Sequence, residues 1–214
     1  MSAPKALIFD WDNTLVESWD AIHHALVVTF EAMGHAPWSL DETKSRVRRS
    51  LRDAFPALFG DRWEEARKLY LDTFTATHLE RIAPVAGAAE LLSQLQARGH
   101  YLAVVSNKTG RVLRREAAHL DWARFFSRLV GAGDAAADKP DAAPIRLALE
   151  GTELEPSDAW YIGDTALDME CAANAGCLGV LLGALDQSDV AFTRFPPALQ
   201  FSACDALARH LKGL

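Results

Sequence analysis

Apolar and polar positions follow two different rhythms along this chain. After residue 83, short apolar runs alternate with stretches of helical periodicity. Tyr101–Val105, Arg128–Val130, Ala159–Ile162 and Leu178–Leu182 predict strands, being short and rich in β-branched or aromatic side chains. Ala88–Ala97, Arg111–Leu120, Ala142–Glu150 and Leu167–Ala175 predict helices between them, and Ser202 with Asp205 is suited to cap a last helix through His210. Near the start, Leu7-Ile8-Phe9 reads as a buried parallel strand. From 16 to 82 the strand pattern disappears. Trp19, Ile22, Leu26, Phe30 and Met33 share one face of a helix over 17–33, which Gly34 would stop. Trp63, Ala66, Tyr70, Phe74 and Thr77 share one face of another over about 62–79, with Asp61 and Glu64 as its capping pair.

Strands alternating with helices predict an α/β fold with a doubly wound, Rossmann-like parallel sheet. The chain then has a core made of residues 1–15 and 83–214. Residues 16–82 form a small α-helical cap inserted after the first strand.

Composition narrows the classes. Half of the 214 residues are hydrophobic, enough for a real core and against disorder. The formal charge of −7 argues against a nucleic-acid-binding face. Cys171, Cys177 and Cys204 are an odd number without metal-ligand spacing, as for buried free thiols in a reducing compartment. Met1 to Lys5 lead into a strand without a long apolar run, and no segment has transmembrane length. A cytoplasmic location is therefore expected, with either a monomer or a homodimer compatible with the sequence.

The candidate chemistry sits at the ends of predicted strands. Asp10 and Asp12 follow the first strand in Asp10-Trp11-Asp12-Asn13-Thr14. Two carboxylates there can direct one side chain and one backbone carbonyl at a hard cation. Ser106-Asn107 follows the next strand, Lys139-Pro140 comes later, and Gly163-Asp164-Thr165-Ala166-Leu167-Asp168 follows another strand. So many acids with little basic match argue for a cation, and oxygen ligands favour Mg2+ over Zn2+ or Cu2+.

These four motifs, in this order, resemble the haloacid dehalogenase-like hydrolase superfamily over nearly the whole chain. The resemblance is nearest to the phosphoglycolate phosphatase-like branch, whose members carry a helical insertion after the first motif. It implies a Mg2+-dependent phosphatase acting on a small phosphorylated metabolite through an aspartyl-phosphate. Asp10 would be the nucleophile, and Asp12 would protonate the leaving oxygen and then activate water. Thr14, Ser106, Asn107 (through its backbone N–H) and Lys139 would bind the phosphate. Asp10, Asp12 and Asp164 would hold the metal, with Asp168 acting through water or by orienting other ligands.

Trp11 is expected to pack away from the carboxylates, and Lys108 to be a solvated neighbour. Ser106-Asn107 could also cap the following helix. Arg46, Arg48, Arg49 and Arg52 form either a solvated basic face or a grip on a second acidic group of the substrate, with Arg48 and Arg49 the candidates for specificity. Gly131-Ala132-Gly133-Asp134-Ala135-Ala136 fits a dinucleotide pattern, but it does not follow the first strand and Pro140 interrupts any helix it might open. Two further readings stay open. One is a phosphomutase of the β-phosphoglucomutase type, which the Ile at position 22 disfavours against that group's His. The other is a phospho-accepting receiver or binding module.

Overall fold

The computed structural model describes residues 3–47, 49–183 and 190–214. Two compact units emerge. One runs through Val16 and resumes at Pro84; the other is Glu17–Ala83.

The first unit is built on β1 (Ala6–Phe9), whose four residues are all fully buried. Such a continuous apolar strand suits the middle of a parallel sheet covered on both faces. The chain leaves it through β2 (Val16–Glu17). The helical unit then comprises α1 (Trp19–Ala32), α2 (Leu40–Arg46), α3 (Leu51–Phe59) and α4 (Trp63–Thr77). The return is β3 (Ala83–Pro84), paired with β2 in a two-stranded sheet. Alternation follows: α5 (Ala88–Ala97), β4 (Tyr101–Thr109), α6 (Gly110–His119), β5 (Arg128–Ala132) and α7 (Ala143–Leu149). Then come β6 (Ala159–Gly163), α8 (Ala166–Ala175), β7 (Leu178–Leu182), α9 (Val190–Arg194), β8 (Leu199–Phe201) and α10 (Cys204–Lys212).

Among the described residues the main sheet has six strands in the order β5-β4-β1-β6-β7-β8, joined by parallel pairings. It is the doubly wound α/β core that the alternation predicts. After β1 the chain adds β4 and β5 on one side, then crosses to add β6, β7 and β8 on the other. Such a reversal opens a crevice beyond the strand ends. The register aims the motifs into it. Phe9 pairs with Val104 and with Ile162, so Asp10, Ser106 and Asp164 all emerge at one sheet edge. Beneath the sheet, Ile8, Ala103, Val105, Ile145, Ala148 and Tyr161 share one buried cluster. The larger of these side chains each contribute about 1.5–3 kcal/mol through the water they exclude.

The helical unit has an aromatic centre. Phe30 and Phe59 lie 5.3 Å apart, and Phe55 and Tyr70 5.6 Å apart, between ring centroids. α2 begins with a reciprocal cap: the Glu42 N–H donates to Ser39 Oγ (3.1 Å) and the Ser39 N–H to Glu42 Oε2 (2.9 Å).

Several local expectations are corrected. Residues 60–62 form a 3-10 turn ahead of α4, and no side chain caps that helix, so Asp61 and Glu64 are not its capping pair. Ala203, also without a side-chain bond, precedes α10 in place of Ser202. β4 continues past Ser106-Asn107 to Thr109, with a register shift beyond Val105, so those two residues cap no helix. Among the described residues no helix is long and apolar enough to cross a membrane.

Candidate active site

The first unit gathers the four motifs at the end of β1. The Asp10 N–H donates to the Ile162 carbonyl (2.7 Å), continuing the sheet pairing up to the carboxylate. Asp10 Oδ1 lies 2.8 Å from Lys139 Nζ, which is also 2.8 Å from Asp168 Oδ1. Lys139 is 3 % exposed. Burial alone would lower its proton affinity, but Asp10 and Asp168 outweigh that and raise it, so Lys139 is a fixed cation.

Asp168 is saturated. Its Oδ1 accepts from Lys139 and from Tyr161 Oη (3.2 Å), and its Oδ2 from the Thr165 N–H (3.0 Å) and Oγ1 (2.7 Å). The Thr165 bonds make Asp168 the N-terminal capping partner of α8. Burial pushes its carboxyl up, yet Lys139 and the Thr165 bonds hold it below its ordinary value. Gly163 is required by this contact: a Cβ there would fall 2.3 Å from Asp168 Cγ.

Asp10 and Asp164 are held differently. Burial, then the nearby Asp168 charge, raises Asp10 to about 6 despite Lys139. Asp164 accepts from Thr14 Oγ1 (2.9 Å), and burial with the Asp168 and Asp10 charges raises it well above the ordinary carboxylate range. One oxygen from each of Asp10, Asp164 and Asp168 lies within 4.8 Å of the others. Asp10 Oδ1 is buried, with Lys139 as its charged neighbour at 2.8 Å. Three clustered carboxylates, two of them buried and Asp164 half-buried, with the Lys139 ammonium paired to Asp10 and Asp168, fit a hard divalent cation. The Asp12 side chain is outside this cluster: its Oδ1 lies 2.8 Å from Lys108 Nζ.

Residues 7–181 match the haloacid dehalogenase-like hydrolase family. The phosphoglycolate phosphatase of Pectobacterium atrosepticum is 31% identical over 216 residues, 93% of this chain and 92% of its own. The chain belongs to the haloacid dehalogenase-like hydrolase family. It is a phosphatase-type member of it. The pyrophosphatase PpaX of Bacillus velezensis is 25% identical over 171 residues, covering 80% of this chain and 79% of that one. In fold, the haloacid dehalogenase-like hydrolase of Streptococcus pneumoniae superposes with a TM-score of 0.86 at 24% identity, over 98% of this chain and 99% of that one.

Of the residues in the four motifs, Asp10, Thr14, Lys139 and Asp168 are buried and gather around the half-buried Asp164, and Ser106 stands at the same sheet edge. Ser106 is buried and its Oγ accepts from the Lys108 N–H (3.2 Å). Asn107 has an additional task. Its Oδ1 accepts from the Lys139 N–H (3.0 Å) and its Nδ2 donates to the Lys139 carbonyl (3.2 Å). Lys108 is not solvated: its side chain is 5% exposed and also pairs with Glu116 at 2.8 Å. Burial would lower its proton affinity, but Asp12 and Glu116 raise it. Sequence reasoning missed Glu116 as well, although it lies among Val112, Leu113 and Ala117 on the buried face of α6. A single acid on that apolar face is the available clue to Glu116, and it does not name Lys108 as the partner.

The two dinucleotide-like glycines have local causes: Gly133 adopts a positive φ of 88°, with open space around it, and Gly131 is fixed by packing. A Cβ on Gly131 would meet Gly110 Cα at 2.4 Å, and Asp134 accepts from the Gly131 N–H and from Arg114. In the helical unit Arg49 is exposed, Arg46 pairs with Glu42 (2.8 Å), and Arg48 lies outside the described residues.

Proposed function

We propose that this chain is a Mg2+-dependent phosphatase that hydrolyses a small phosphomonoester through an aspartyl-phosphate on Asp10. The observation that carries this reading is Asp10 at the end of β1, 2.8 Å from Lys139 and clustered with Asp164, with Asp12 two residues on. A carboxylate attacking a phosphate dianion faces strong repulsion at contact. Lys139 offsets part of that charge, and Thr14 and Ser106 are assigned as hydroxyl contacts of the phosphate. Bound Mg2+ would add Lewis-acid charge stabilisation, held by Asp10 and Asp164, with Asp12 contributing through its backbone and Asp168 indirectly.

The step balances within the chain. An Asp10 carboxylate oxygen bonds to phosphorus as the ester P–O bond breaks, and the departing oxygen takes a proton from Asp12. Water then attacks phosphorus, giving its proton back to Asp12. The bond to Asp10 breaks, freeing inorganic phosphate.

Phosphoglycolate, the substrate named for the Pectobacterium relative, is the proposed substrate type. Discrimination among substrates is assigned to the helical insertion, with Arg48 and Arg49 as candidate contacts for a second acidic group. Incubation with p-nitrophenyl phosphate and Mg2+ tests the reading. Steady release over many turnovers supports a phosphatase, and a single stoichiometric phosphorylation would instead mean a receiver.

A further inference from the structure

Asp12 is tied to buried groups that the proposed chemistry leaves without a role. Its Oδ1 lies 2.8 Å from Lys108 Nζ. That ammonium donates to both oxygens of Glu116, at 2.8 and 2.9 Å. Glu116 is fully buried, and its Oε2 accepts from Trp11 Nε1 at 2.7 Å. Trp11 is itself fully buried and packed edge-on to Trp122 and Phe126, with centroids 5.9 and 6.3 Å away. Trp11 precedes Asp12, so the network starts and finishes in one dipeptide.

Such a network is costly as mere packing. Removing an ammonium and a carboxylate from water is costly for each ion, and apolar residues of similar volume are often at least as stable. Here the buried cation faces the carboxylate that exchanges the proton. The indole fixes Glu116, Glu116 fixes Lys108, and Lys108 meets Asp12 through space.

We propose that Lys108, braced by Glu116 and Trp11, is a positioning residue that sets the direction of the Asp12 carboxylate and so its delivery of a proton to the leaving group. This rests on Asp12 being the acid. It makes a selective claim. An alkyl phosphate must expel an alkoxide and needs the proton, whereas p-nitrophenolate leaves without it. kcat/KM covers the steps up to loss of the leaving group, so the later attack of water does not enter.

The test compares kcat/KM on an alkyl phosphate and on p-nitrophenyl phosphate for wild type, Asp12→Asn, Lys108→Met and the double variant Lys108→Met/Glu116→Gln. Thermal melting is followed in parallel. Lys108→Met alone strands a buried Glu116 charge. If it does not fold, the double variant decides, because it removes both charges while the introduced carboxamide oxygen can still accept from Trp11. The expected result is a double variant that melts near wild type yet loses at least about tenfold more activity on the alkyl ester than on the nitrophenyl ester, in the same sense as Asp12→Asn. Equal losses on both esters, or no loss, while Asp12→Asn discriminates between them, would overturn the positioning role and leave the acid assignment standing. No discrimination by Asp12→Asn itself would remove that assignment and this inference with it.

Discussion

Asn107 and Lys139 clasp each other through the Lys139 backbone: Asn107 Oδ1 accepts from its N–H at 3.0 Å, and Asn107 Nδ2 donates to its carbonyl at 3.2 Å. The carboxamide on β4 therefore anchors the loop that carries the fixed cation. Asn107→Ala removes both bonds, each worth about 1 kcal/mol. We expect kcat/KM to fall about 10- to 100-fold as Lys139 loses its fixed approach to Asp10. An unchanged rate would show that the loop keeps its place without the clasp.

Gly163 offers a test of the same site by crowding. The Cβ of Gly163→Ala would enter the space of the Asp168 side chain, at 2.3 Å from its Cγ. Asp168 must then shift, breaking bonds from Lys139, Tyr161 or Thr165. Overpacking of this kind costs about 1–3 kcal/mol. Thermal unfolding should show the loss, together with reduced activity, and a variant as stable and active as wild type would contradict it.

The proposed metal site predicts a pH-dependent response to Mg2+. Asp10 is raised to about 6 in the fold, so the folded state binds this proton more tightly than the unfolded state. For this group, metal-free stability is greatest at low pH and declines as pH rises from about 4 to 6, where the unfolded carboxyl ionises first. Asp168 runs the other way, being lowered: its contribution is present above its unfolded value and fades only at more acid pH. A cation competes with the Asp10 proton. Added Mg2+ should therefore raise the melting temperature more at about pH 7.5 than at about pH 5. A shift that is equal at both, or larger in acid, would contradict the site. Ca2+ should bind but not support turnover, because its longer bonds and higher coordination number misplace the nucleophile.

Much of this site is legible in the sequence because its residues are local signals. Asp10, Ser106 and Asp164 each stand just beyond a recognisable apolar run, and strand ends are where such sheets bind ligands. Gly163 and Asp168 share one motif because one must make room for the other. Lys108 is hidden for a physical reason. Its surroundings depend on β4 running on to Thr109 through a register shift, and on α6 turning Glu116 inward. Neither is encoded beside Lys108. The helices α2 and α3 are hard to read as well, since the segment from Lys44 to Asp53 reads as charge rather than as an apolar face. The cap of α2, Ser39 with Glu42, is the available clue.

The arginines of the insertion carry a prediction about selectivity. If one of them recognises a second acidic group, Arg49→Ala should lower kcat/KM for a carboxylated phosphate ester by about 1.5–3 kcal/mol of transition-state binding. p-Nitrophenyl phosphate lacks that group and should be hydrolysed almost as before. Equal losses on both substrates would point to folding of the insertion, and no loss on either to a solvated basic face.

The central claim is the covalent role of Asp10, and it is tested most directly by mass spectrometry of enzyme quenched in acid during turnover. The wild-type chain should carry one phosphoryl group on the peptide containing Asp10. The near-isosteric Asp10→Asn should carry none and lose several orders of magnitude in kcat while melting as a folded protein. A phosphoryl group mapped to another residue, or turnover by Asp10→Asn close to wild type, would contradict the account.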